Sequence, residues 1–174
     1  MEAAASLASA CDFFYSRGRA VAWFGQIRAA AGLTPSVLIQ AFGEFLNMEG
    51  ISRASTVSHR EIEEFQITFL SILFRRRKKE KLMDAITDLV RFNGAWSRAI
   101  AEKDASEFVL HYDPDLVLGP AALNLTRFVA EAAPRRTAVR VSPGPRGPEL
   151  FPLRGGPGIS GKRRADQSRS GSRR

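Results

Sequence analysis

The 174 residues contain 26 Lys and Arg against 18 Asp and Glu, and the excess is not evenly spread. Residues 135–174 hold 11 cations and 2 acids, while residues 1–134 hold 15 and 16, so the formal +8 of the chain belongs to its last 40 residues. One cysteine, Cys11, excludes an internal disulfide and a thiolate zinc site, and two histidines, His59 and His111, leave little for any other metal cluster.

One folded domain is expected at this length: a helical bundle over 1–134, followed by a basic low-complexity tail over 135–174. Met1-Glu2-Ala3 lacks the basic start of a secretory signal. The Ala- and Ser-rich stretch to residue 31, with Arg17, Arg19 and Arg28, has the composition of a mitochondrial presequence, but Phe13, Phe14, Tyr15, Trp23 and Phe24 read as core. The longest apolar run, 65–74, is about half of what a bilayer requires, so no membrane span is expected. These features place the protein inside the cell, in cytoplasm or nucleus, with the mitochondrion as the alternative.

In chain order, a first helix is predicted over 3–16, ending near Gly18. A second, over 19–31, spaces Val21, Phe24, Ile27 and Arg28 by three and four and stops at Gly32. The third starts with Thr34 as N-cap and Pro35 in its first turn, carries Val37, Leu38, Ala41, Phe42, Phe45 and Leu46 on one stripe, and ends near Gly50. Ser58-His59-Arg60-Glu61 has the form of a capping box. The residues after it, from Ile62 to Phe74, are apolar nearly all round, which suits the centre of a bundle. Neither Pro nor Gly interrupts 58–92, which can form one helix or two broken at the basic run Arg75–Lys81. Asn93-Gly94 is read as a stop, with a short helix over 95–103 beyond it. Asp104-Ala105-Ser106-Glu107 reads as a second capping box leading into Phe108, Val109 and Leu110, and Pro114 forces a turn. A last helix opens at Gly119-Pro120 and closes before Pro134. Beyond it, six of nine prolines and seven of fourteen glycines leave too little apolar surface to offset the ordering entropy, so a disordered tail is expected.

The fold class is therefore all-α, a compact multi-helix bundle with Trp23, Phe42, Phe45, Phe65, Phe69, Phe92, Trp96 and Phe128 in its core.

The tail carries the strongest functional signal. Arg135, Arg136, Arg140, Arg146, Arg154, Lys162, Arg163, Arg164, Arg169, Arg173 and Arg174 lie along a Gly/Pro/Ser backbone. Guanidinium forks suit phosphate, and a loose chain lets each fork find its own. Arg154-Gly155-Gly156 and the Ser/Arg run from Ser168 to Arg174 have the composition of unspecific single-strand binders. The plainer reading is a solubilising or localisation tail. Arg75, Arg76, Arg77, Lys78 and Lys79 form a second cationic group. They read either as a solvated helix end, as a phosphate patch continuous with the tail, as a nuclear-import signal or as a membrane-surface anchor.

Gly50-Ile51-Ser52-Arg53-Ala54-Ser55-Thr56-Val57-Ser58-His59 resembles the turn and recognition-helix start of helix-turn-helix DNA-binding domains, which often read Gly, aliphatic, Ser, two variable residues, then Thr-Val-Ser-Arg. Here one extra residue precedes Thr56, His59 stands where Arg is usual, and Leu46 where a small residue is usual. The resemblance implies DNA recognition through an exposed helix over 51–62; the alternative is a loop feeding the Ser58 cap.

Catalytic signatures are weak. Gly155-Gly156-Pro157-Gly158 lacks the spacing of a phosphate loop. Cys11 reads as a small buried hydrophobe, and His111, Asp113 and Asp115 as an Asx-type turn rather than metal ligands. Glu63/Glu64 and Asp84/Asp88 read as solvated helix faces. No enzyme activity, cofactor or metal is expected.

The expected function is non-catalytic nucleic-acid binding, RNA favoured over DNA, in a ribonucleoprotein or nucleocapsid-like assembly whose helical body docks on a protein partner or on copies of itself. The alternative is a helical protein-interaction module whose tail serves nuclear import or is regulated by phosphorylation at Ser160, Ser168, Ser170 or Ser172.

Overall fold

Seven α-helices and one three-stranded sheet make up the residues that the computed structural model describes, 2–51 and 57–153. The architecture is mostly helical, but the sheet corrects the all-α expectation. The helices are α1 (Glu2–Cys11), α2 (Phe24–Ala31), α3 (Pro35–Met48), α4 (His59–Arg76), α5 (Met83–Ala101), α6 (Pro114–Val117) and α7 (Leu125–Glu131). The strands are β1 (Ser106–Leu110), β2 (Thr137–Gly144) and β3 (Gly147–Pro152).

Local rules set most helix ends. Thr34 Oγ1 accepts from the Val37 N–H, with Pro35 in the first turn of α3. Gly32 closes α2 in the left-handed region (φ 67°), which a residue without Cβ enters at no steric cost. At α4 the Ser58 Oγ accepts from the Glu61 N–H (3.3 Å), and the Glu61 carboxylate accepts from the Ser58 N–H (2.8 Å). The Ser58 hydroxyl and N–H also hold the Glu61 carboxyl below its usual range. Ser58→Ala is expected to cost about 1 kcal/mol, the usual value of a lost cap, in a urea denaturation series. A loss within error would leave the capping box without energetic weight.

The first segment is less regular than a single helix. α1 passes into a π-helical turn, Asp12–Arg17. The buried Gln66 amide of α4 donates to the Phe14 carbonyl (2.8 Å) and the Gly18 carbonyl (3.0 Å). These bonds satisfy buried carbonyls at the end of the segment.

The core is an aromatic cluster around Phe42. Its ring centroid lies 4.6 Å from Phe14 and 5.3 Å from Phe69, both edge-on, and Phe14 meets Trp23 at 5.5 Å. Trp23, Phe42, Phe45, Phe69 and Phe128 are buried as expected. Phe65 is half-buried on the main core, and Phe92 and Trp96 are half-buried in a second, smaller core between α5 and the sheet. Cys11 is exposed rather than buried, because α1 turns that face away from α3 while Ala10 packs inward.

One open alternative is decided and two further expectations are corrected. Residues 58–92 form two helices, α4 and α5, separated at the basic run, where Lys78 takes a left-handed conformation (φ 56°). Asn93-Gly94 does not stop α5, which continues to Ala101. A Cβ at Gly94 would collide with the Glu63 carboxylate, so this glycine serves close helix packing. Residues 106–110 form β1 rather than a helix, pairing antiparallel with β2 from Ser106↔Val141 to Leu110↔Thr137.

β2 and β3 lie beyond residue 134, inside the stretch expected to be the start of a disordered tail. They form a hairpin closed by the two residues Pro145-Arg146, with Gly144 opposite Gly147. Val139 and Val141 are fully buried, Val141 against Ala95 and Ala99 of α5, while Arg140 between them points outward. That alternation is what a half-buried strand requires. Residues 154–174 of the predicted tail lie outside the described residues.

Candidate nucleic-acid interface

The basic run is built by the end of α4. Arg77 caps this helix, Lys78 reverses the chain, and the Lys79 N–H returns to the Phe74 carbonyl (2.9 Å). Two of its cations are engaged in the fold. Arg77 Nη1 donates to the Ala31 carbonyl (2.8 Å) and Lys79 Nζ to the Ala30 carbonyl (2.6 Å), both at the C-terminal end of α2. Cations are favoured there by the helix dipole and by the open carbonyls. Arg75, Arg76, Lys78 and Lys81 are exposed, with no acidic partner among the described residues. The run therefore divides into two structural cations and four free ones.

The described part of the tail forms a second group. Arg135 pairs with Asp113 (3.3 Å) and Arg140 with Glu107 (3.7 Å), both at exposed sites where screening leaves such pairs worth little. Arg136 and Arg146 are exposed and have no acidic partner among the described residues, Arg146 at the tip of the β2–β3 hairpin. Arg154, Lys162, Arg163, Arg164, Arg169, Arg173 and Arg174 lie outside the described residues.

Arg135 lies at the same end of α5 as the basic turn, since its N–H donates to the His111 carbonyl and His111 reaches Asp84 and Asp88 in the first turns of that helix. The basic turn adjoins the start of α5 at Met83, whereas the sheet packs on α5 at Ala95 and Ala99. Twelve residues at 1.5 Å each put the Val141 contact about 18 Å along the helix from the basic turn.

The first turn of α4 is largely exposed, and its polar side chains bond to the body. His59 Nδ1 lies 2.7 Å from Glu102 Oε1 and 2.7 Å from Arg19 Nη2, while Arg60 Nη2 donates to Asp104 Oδ2 at 2.6 Å. Partial burial raises the Glu102 carboxyl, but hydrogen bonds from Arg19 and His59 outweigh it and leave the group below its ordinary value. Ile62 is fully buried and Glu63 is bonded to Arg98 Nη1 at 2.7 Å. Residues 52–56 of the helix-turn-helix resemblance lie outside the described residues.

Two carboxylates expected on solvated faces are buried instead. Glu63 and Arg98 form an ion pair whose side chains are 12% and 6% exposed, and burial pushes the Glu63 carboxyl up despite Arg98. Asp88 accepts from the N–H groups of His111 (2.8 Å) and Tyr112 (3.0 Å) and lies 2.8 Å from His111 Nδ1. Burial pushes the Asp88 carboxyl up as well, although those bonds oppose it. Their partners Glu64 and Asp84 are exposed, as expected. The signal for Glu63 and Asp88 was helical phase, since Glu63 sits one turn before Gln66 and Asp88 one turn after Ala85.

His111, Asp113 and Asp115 do not converge, since His111 turns to Asp88 and Asp113 Oδ1 accepts from the Asp115 N–H (3.1 Å) as the cap of α6. Among the described residues no group of three His, Cys, Asp or Glu could hold a metal ion. Among those residues, too, no single helix is long and apolar enough to cross a membrane.

No family model, curated protein or solved structure matches the chain.

Proposed function

We propose that the protein is a non-catalytic nucleic-acid-binding protein, with RNA favoured over DNA, acting as a structural component of a ribonucleoprotein or nucleocapsid-like assembly. The observation that carries this reading is the charge segregation: 11 cations and 2 acids in the last 40 residues, against near neutrality in the rest. Such an arm neutralises phosphates and releases their counterions without needing a preformed pocket. The free cations Arg75, Arg76 and Lys78 add a second contact point on the folded body.

The seven cations of 154–174 supply most of the affinity, and those at the hairpin and the basic turn position the body on the strand. A helix-turn-helix mode would need His59, Ile62 and Glu63 free to enter a groove; Ile62 is buried and Glu63 is held by Arg98, while His59 is partly exposed but bonded to Glu102 and Arg19, which supports the arm-based reading.

The test is fluorescence anisotropy of a labelled single-stranded RNA with the full chain and with a chain ending at Leu153. The full chain is expected to bind and the shortened chain to lose most of that affinity, with unlabelled single-stranded RNA competing better than duplex DNA. Absence of RNA binding by the full chain would leave the protein-interaction module as the better reading.

A further inference from the structure

A groove between α3 and α4 has an apolar floor and walls of opposite charge. Its volume is about 330 Å³. Phe45 and Phe69 form the floor, their centroids 5.7 Å apart. Met48, on the α3 side, is 70% exposed and Ile72, on the α4 side, 37%, so the floor continues to the surface on both rims. Glu49 closes the α3 wall and Arg76 stands on the α4 wall, and the two do not pair with each other.

Glu49 is poorly placed in a lone chain. It caps the C-terminal end of α3, where the helix dipole disfavours a carboxylate, and no cation among the described residues compensates it. Arg76 across the groove likewise has no acidic partner among the described residues.

We propose that this groove is the interface between two copies of the chain, related by a two-fold axis running along the groove. A two-fold interface requires a patch complementary to itself. With the axis along the groove, the α3 wall of one copy faces the α4 wall of the other. Glu49 of each copy then meets Arg76 of its partner, which leaves Arg75 and Lys78 of the basic turn for phosphate contact, and Met48 and Ile72 are covered. The apolar floor supplies the association energy and the two charge pairs fix the register. A dimer brings two cationic arms to one strand of nucleic acid, raising avidity by effective concentration. That purpose rests on the function proposed above; the interface itself does not.

The test uses the full chain without nucleic acid, in sedimentation velocity across the micromolar range. The wild type is expected to dimerise. Arg76→Glu alone and Glu49→Arg alone each set like charges across the axis twice and are expected to weaken dimerisation by about tenfold or more. An equimolar mixture of the two variants is expected to restore it, because each residue 49 then faces a residue 76 of opposite charge. Both positions are exposed, and unchanged circular dichroism shows that the variants remain folded. A wild type that stays monomeric, single variants that dimerise like wild type, or a mixture that stays monomeric would each overturn the proposal. Because RNA is absent, failure here leaves the phosphate-binding role of the arm to be judged on its own test.

Discussion

A chain cut after Pro134 is expected to melt about 10–20 °C below the full chain, whereas a chain cut after Leu153 melts within a few degrees of it. The first cut removes β2 and β3 and strands β1 without a partner along its whole five-residue register. It also uncovers Leu110, Ala95 and Ala99 and discards Val139 and Val141, which are fully buried. Each such valine contributes about 1.5–3 kcal/mol by burial alone, so the pair accounts for a large share of a stability of roughly 5–15 kcal/mol. The second cut leaves every described element in place. Differential scanning calorimetry of both chains decides the matter. Equal melting temperatures would mean that the sheet is not an integral part of the domain. The consequence for function is practical: a binding defect in a chain cut at 134 would confound loss of phosphate contacts with loss of fold.

Arg98→Ala is expected to cost about 3–5 kcal/mol, the usual result of removing one member of a buried ion pair. Arg98 is 5% exposed and Glu63 has no other cation bonded to it among the described residues. The variant leaves a carboxylate in a site where burial already raises its pKa, and loss of Arg98 raises it further. The sign of the pH dependence follows. An acid with a folded pKa above its unfolded one burdens the folded state increasingly as pH rises from the unfolded value through the folded one. Arg98→Ala should therefore recover stability relative to wild type as pH falls from neutral towards the ordinary glutamate range. A double variant, Arg98→Met with Glu63→Leu, removes both charges and should regain most of the loss. Urea denaturation at two pH values checks both statements. A pH-independent deficit would assign the cost to lost packing of the Arg98 stem instead.

Where a helix end depends on a few adjacent residues, the sequence was readable. Thr34-Pro35, Gly32 and the Ser58–Glu61 box act within one turn, and the structure places all of them as expected. Gly94 and residues 104–110 follow distant neighbours instead. Gly94 lies within α5, and Glu63, 31 positions earlier, occupies the space a Cβ there would take. Asp104-Ala105-Ser106-Glu107 matches a capping box by spacing, but Ser106 and Glu107 pair with Val141 and Arg140 far along the chain. The strand signal in 137–142 was present as alternation, Val139 and Val141 inward and Arg140 outward, under a composition dominated by Pro and Gly. Those prolines fit the sheet. Pro148 and Pro152 sit on β3, an edge strand, Pro143 sits on β2 past the end of its pairing with β1, and Pro145 sits in the turn, where a missing N–H is tolerated. For the candidate interface, the sequence located the cations, but only packing separates Arg77 and Lys79, which cap α2, from Arg75, Arg76 and Lys78, which face solvent.

The central claim is that the cationic arm clamps phosphates. Its most direct test is the salt dependence of single-stranded RNA binding by the full chain and by the chain ending at Leu153. Residues 154–174 contain seven cations, so their engagement should give the full chain a log–log slope steeper than that of the shortened chain by up to about 5. The shortened chain should retain only the shallow slope of the few exposed cations at the basic turn and hairpin. Parallel slopes for the two chains, with affinity unchanged by the cut, would contradict the claim and place binding on the folded body.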